Sequence, residues 1–300
     1  MMIHGLYKTI NQQIVLEDIH FTLTQNEIVG LIGRNGSGKT SLFRLLAGYY
    51  LPDSGDIQIN QQSIYQEPTI KEQIFFIDEK ENFLNTYSLK KINAFYRLNY
   101  QNFDQDLFLQ LTHQYDLSLQ LNYRQLSKGM QGLFQMILAI CSNATYLLLD
   151  EPFDGLDVIV RKQVIGLLLE HLSEKNRTAL IASHNLSELE GLIDRALLLK
   201  DNKINKEYCL ENMRETAKKI QLVFKTKKIP VIVKENSKLI NFQGRVITVV
   251  FEHYTPELAD QIKAYDPLVF EELPLSLEDL FEANLNAPQK KILDRSISNG

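Results

Sequence analysis

The stretch Gly33-Arg34-Asn35-Gly36-Ser37-Gly38-Lys39-Thr40 constrains this chain more than any other. It fits the pattern G-x-x-x-x-G-K-[ST] at every fixed position. The glycines let backbone N–H groups turn inward around a phosphate with no Cβ in the way. Gly33, Asn35, Gly36, Ser37, Gly38, Lys39, Thr40 and Ser41 are the expected phosphate-binding residues. Lys39 reaches the β- and γ-phosphates as a point charge, and the Thr40 hydroxyl is offered to Mg²⁺. The flanks fit as well. Glu27 to Ile32 reads as a buried strand entering the loop, and Thr40 to Ala47 as a helix leaving it. That helix directs its N-terminal partial positive charge at the phosphates.

A chain of 300 residues with 44% hydrophobic content has room for one large domain and one small one. The net charge of −5 is spread along the sequence and leaves no basic footprint, so no nucleic-acid partner is expected. Cys141 and Cys209 have no C-x-x-C or metal-like neighbours, which fits a reducing compartment. The N-terminus lacks a signal-peptide pattern, and no apolar run reaches the ~18 residues a bilayer span needs. A soluble chain is expected, with any membrane role supplied by a separate one.

Strand-like alternation fills residues 1–23, and shorter strands are predicted at 56–59 and 73–77. From about 83 to 143 the pattern is helical, with interspersed aromatics that suit a helical core. The runs Tyr146–Asp150 and Thr178–Ser183 suit strands buried on both faces of a parallel sheet, with an amphipathic helix at 158–175 between them. This alternation predicts a layered α/β domain whose active edge lies at the carboxyl ends of the strands.

The character changes near residue 205. Strands are expected at 218–226, 245–251 and 268–273, a helix at 256–265, and a capping box at Ser276–Asp279 opening a last helix. Residues 206–285 read as a small α+β accessory domain and 286–300 as a flexible tail.

A phosphate loop alone does not choose among kinases, GTPases and ATPases. Leu147-Leu148-Leu149-Asp150-Glu151-Pro152 narrows the choice by ending a buried strand in two acids. Asp150 is the expected Mg²⁺ ligand beside Thr40. Glu151 is the expected general base for the attacking water.

Four motifs, in order and spacing, resemble those of the ATP-binding-cassette (ABC) ATPase family over residues 1 to about 205. Besides the acidic strand, Leu126-Ser127-Lys128-Gly129-Met130 resembles the signature LSGGQ, Phe153 to Asp157 the D-loop, and Ser183-His184 the switch histidine. The resemblance implies a P-loop NTPase cassette, with a RecA-like core, an antiparallel β subdomain and a helical subdomain at about 83–143. It implies ATP and Mg²⁺ as cofactors, and a head-to-tail pair of cassettes, identical or different. ATP would lie between the loop of one cassette and Ser127, Lys128, Gly129 and Met130 of the other. His184 would contact the γ-phosphate, and Asp157 would belong to the D-loop.

Three features depart from the family pattern. Ile10, 29 residues before Lys39, stands where an adenine-stacking aromatic is usual. Glu79 stands where the Q-loop glutamine is usual. Lys128 and Met130 replace a glycine and a glutamine of the signature. Together with Pro274–Phe281, these departures are similar to bacterial exporter-type cassettes for drugs, antimicrobial peptides or lipids. Such a subunit would sit peripherally on the cytoplasmic face of the membrane, against an integral membrane permease. The permease would dock near Phe83, Leu84 and Tyr87. Two alternatives stay open: an ABC ATPase of repair, translation or cofactor assembly, and an importer ATPase with a regulatory C-terminal domain.

Overall fold

The computed structural model describes residues 1–78, 83–174, 176–226 and 228–285; Glu79 and the expected tail at 286–300 lie outside them. The chain divides into two compact units. One is Met1–His184 with Ile193–Glu207; the other is Asn185–Leu192 with the residues from Tyr208 onward. The short segment after His184 therefore groups with the C-terminal unit rather than with the first 205 residues.

The first unit is built on two sheets. Strands β1 (Met2–Ile10), β2 (Gln13–Thr22), β4 (Ser54–Ile59) and β5 (Gln62–Ser63) form an antiparallel sheet in the order β2-β1-β4-β5. Strands β3 (Ile28–Ile32), β6 (Ile74–Ile77), β7 (Tyr146–Asp150), β8 (Thr178–Ala182), β9 (Arg195–Lys200) and β10 (Lys203–Cys209) form the second, in the order β10-β9-β3-β8-β7-β6. Pairing is parallel from β9 through β6. Every residue of β3, β7 and β8 is buried, as expected of strands covered on both faces.

Helix α1 (Lys39–Leu46) lies between the two sheets. Its Leu42, Phe43, Leu45 and Leu46 share one cluster with Leu6, Leu16 and Ile57 of the antiparallel sheet and Leu31, Leu148 and Leu180 of the parallel one. Each such buried side chain contributes about 1.5–3 kcal/mol, so the helix that follows the phosphate loop is firmly seated. The helical region contains α2 (Leu89–Asn99), α3 (Gln105–Gln114) and α4 (Lys128–Cys141). Ser88, Asp104 and Ser127 cap their first turns. Phe108 and Phe134 meet edge to face at 6.1 Å in its core. Helix α5 (Val158–Glu174) follows β7 and returns the chain to β8.

The second unit contains α6 (Leu186–Leu189), α7 (Leu210–Thr216), β11 (Lys218–Val223), α8 (Val231–Asn236), β12 (Lys238–Gln243), β13 (Val246–Phe251), α9 (Pro256–Lys263), β14 (Val269–Leu273) and α10 (Leu277–Leu285). Its sheet is antiparallel in the order β12-β13-β11-β14. With the helices, this is the split βαββαβ arrangement. The two-residue period of β13 sorts its side chains. Ile247, Val249 and Phe251 pack with Val233, Leu258 and Ile262 of α8 and α9. Val250 packs with Met213 of α7 and Leu280 of α10. Sequence reading expected three of these four strands; β12 and the six-residue α8 carry too little periodic signal to find. Among the described residues, no helix is long and apolar enough to cross a membrane.

Candidate functional site

The site forms where β3, β7 and β8 end. Gly38, at φ 104°, turns the chain into α1, and a Cβ there would stand 2.9 Å from the Val15 carbonyl oxygen. Any other residue would be both strained and obstructed. Lys39 is 7% exposed, and its Nζ donates to the Gly33 carbonyl at 2.8 Å. Its ammonium thus spans the loop from within. Thr40, on the first turn of α1, donates its hydroxyl to Asp150.

Asp150 is 5% exposed. Burial pushes its carboxyl above the usual range, and the negative charges of Glu151 and Asp78 push the same way; Thr40 and the Lys39 charge oppose them. An incompletely compensated anion beside a hydroxyl is a hard oxygen pair suited to Mg²⁺, whose shell nucleotide phosphates and water complete.

Glu151 follows in the left-handed region at φ 49°. Its N–H donates to the Ala182 carbonyl at 2.9 Å, which ties the end of β7 to the end of β8. Its Oε2 accepts from the His184 backbone N–H at 3.1 Å and faces His184 Nδ1 at 2.9 Å. A carboxylate cannot donate, so Nδ1 carries the proton in this contact.

A cavity of about 510 Å³ opens over these groups. Asn35, Gly36, Gly38, Lys39, Thr40, Ser41, Asp150, Glu151 and His184 line it, joined by Val15 and Asp154. Sequence reasoning missed the last two. Val15 reaches the site through the pairing of β2, which no local spacing reveals. Asp154 stands inside the Phe153–Asp157 motif, where Asp157 drew the expectation. Asp157 instead caps α5, its Oδ1 accepting from Ile159 and Val160 N–H at 2.9 and 3.0 Å. Ile10, half-buried at the end of β1, is not in the lining.

Ser127, Lys128, Gly129 and Met130 also lie away from this cavity, at the start of α4. Ser127 Oγ caps Met130 N–H there at 3.2 Å, Lys128 is exposed, and Gly129 packs against Val160. Next to Glu79, Asp78 is 8% exposed and held by Arg44, its Oδ2 accepting from Nη2 at 2.9 Å and from Nε at 3.1 Å.

A second groove, of about 390 Å³, is walled by Tyr49, Phe76, Phe83, Phe95, Tyr96 and Tyr100, with Lys71 and Glu72 beside them. Phe83 and Tyr87 are 51% and 45% exposed, whereas Leu84 is 3% exposed. Leu84 is therefore a core residue and not part of an open surface, a correction to the expected trio.

A family model described as "ABC transporter" matches residues 16–154. The ABC transporter ATP-binding protein YtrB of Bacillus subtilis is 31% identical over 95% of this chain and 98% of its own length. The Fe(3+) ions import ATP-binding protein FbpC of Haemophilus influenzae is 31% identical over 68% of this chain and 61% of its own length. A dimeric ATP-binding cassette in a post-hydrolysis state, bound to ADP and Pi, shares the fold at a TM-score of 0.62 and 19% identity, over 70% of this chain and 98% of that one.

Proposed function

The chain belongs to the ATP-binding-cassette transporter family as an ATP-binding subunit and ATPase, and from that premise we propose that it powers export through a separate membrane permease. The carrying observation is the cavity that gathers Lys39, Thr40, Asp150, Glu151 and His184. Lys39 and the loop amides hold the triphosphate. Thr40 and Asp150 hold Mg²⁺, which when bound screens the phosphate charge. Glu151 accepts the proton of the attacking water, and His184 contacts the γ-phosphate.

Ser127, Lys128, Gly129 and Met130 cap the nucleotide of a second cassette, a copy of this chain or a different one. The exposed, capped start of α4 supports that role. Asp157 keeps the D-loop in shape by capping α5. Ile10 remains the adenine-side residue of this reading, although Val15 rather than Ile10 lines the cavity. Glu79 is the Q-loop residue in this reading, as its place in the sequence after β6 suggests. The permease inserts a short helix into the aromatic groove beside Phe83, which places the subunit on the cytoplasmic face of the membrane.

One feature supports export of a drug, antimicrobial peptide or lipid: the signature departs from LSGGQ at Lys128 and Met130. The likeness to an iron-import ATP-binding protein over 68% of this chain favours a second reading, import. Transport in inverted membrane vesicles separates the two. Co-expressed with a candidate permease, an exporter drives ATP-dependent accumulation inside the vesicles, and an importer drives release.

A further inference from the structure

Three carboxylates line the nucleotide cavity, and two of them are engaged. Asp150 accepts from Thr40. Glu151 has its Oε2 occupied by both the backbone and the ring of His184. The third, Asp154, is exposed to the cavity, and among the described residues its carboxylate makes no hydrogen bond or ion pair. It is also held in place. Its backbone N–H donates to the Glu151 carbonyl at 3.1 Å, closing a turn between Glu151 at φ 49° and Gly155 at φ 69°. The turn that aims Glu151 into the cavity therefore aims Asp154 as well, at a fixed offset.

We propose that Asp154 is a second catalytic carboxylate, which orients the attacking water together with Glu151 and takes its proton when Glu151 does not. The balance is simple. The water oxygen bonds to the γ-phosphorus, and the bond from that phosphorus to the β,γ-bridging oxygen breaks. ADP leaves with the electron pair, and the water proton passes to the Asp154 carboxylate and then to solvent. Asp154 is suited to this because its lone pairs are free while His184 holds Glu151. The inference rests on the reading of Glu151 as the principal base.

The test is single-turnover hydrolysis of Mg²⁺-ATP by the full chain, with affinity for a fluorescent ATP analogue measured on every variant. Asp154→Asn alone is expected to slow hydrolysis by about threefold to tenfold with affinity unchanged. Adding it to Glu151→Gln is expected to lower the residual rate by about another tenfold, and Glu151→Gln with Asp154→Glu to restore the rate of Glu151→Gln alone. Asp154→Ser repeats the comparison in case the amide disturbs the turn. Equal residual rates in Glu151→Gln and in both double variants would overturn the role of Asp154. Full activity in Glu151→Gln would instead remove the reading of Glu151, a distinguishable result.

Discussion

His184 and Glu151, 33 positions apart, meet at 2.9 Å between Nδ1 and Oε2, and the His184 backbone N–H binds the same oxygen. The contact ties the residue after β7 to the residue two beyond β8 at one side of the cavity. It gives Glu151 a fixed orientation and a donor. Glu151→Gln is expected to keep ATP binding and to lose ~10²–10⁴-fold in turnover, because the amide cannot accept the water proton. It is also expected to accumulate as an ATP-bound dimer. Phosphate release and light scattering check both outcomes, and wild-type turnover removes Glu151 from the mechanism.

Lys39→Ala acts on binding. The buried ammonium that spans the loop to Gly33 is lost, together with its charge-assisted bonds to the triphosphate, worth ~1.5–3 kcal/mol each. Affinity for a fluorescent ATP analogue is expected to fall by roughly tenfold or more. An unchanged titration would mean that the loop is not the phosphate site.

Gly55→Ala tests the antiparallel sheet. Gly55 sits at φ 85°, and a Cβ there would lie 2.2 Å from the Gly5 carbonyl oxygen. Backbone cannot move aside as a side chain can. A loss of at least ~1–3 kcal/mol is expected, seen as a lowered thermal midpoint. An unshifted midpoint contradicts the tight approach of β1 and β4.

Acid should weaken the C-terminal unit through Asp279. Burial opposes its charge, but Lys219 at 2.8 Å and the Ser276 N–H and hydroxyl hold its carboxyl below the usual range. A depressed folded-state value means that the contribution is complete above the unfolded carboxylate value of ~3.9 and is lost as pH falls through the folded one. Asp279→Asn should therefore be less stable than wild type at neutral pH, and the gap should narrow as pH falls below the unfolded carboxylate value. Thermal unfolding across that range measures it, and a constant gap rejects the linkage.

Phe83→Asp places a charge at the mouth of the aromatic groove, where Phe83 meets Phe95 at 5.3 Å. Basal ATPase activity is expected to be retained and stimulation by the co-purified permease to be lost. Stimulation that survives the substitution moves the docking surface elsewhere. Leu84→Asp is the wrong probe, because that side chain is buried and its charge would damage the fold.

The sequence alone determined the features held by local geometry. Gly33 to Thr40 and Leu147 to Glu151 are contiguous, so a strand, a tight turn and a helix start suffice to set which atoms point at a phosphate. The fold class followed for the same reason, since fully apolar strands alternating with helices have few ways to bury both faces. Pairing between distant segments was left to tertiary structure. The parallel register of β7 with β8 brings Glu151 to His184, and the pairing of β2 brings Val15 rather than Ile10 to the cavity. Neighbours in sequence part company for the same reason: a single turn exposes Phe83 and buries Leu84, and another sends Asp154 into the cavity while Asp157 caps a helix. Composition and spacing record which side chains are present. Only the hydrogen-bonded packing of strands far apart in the chain decides which of them face one another.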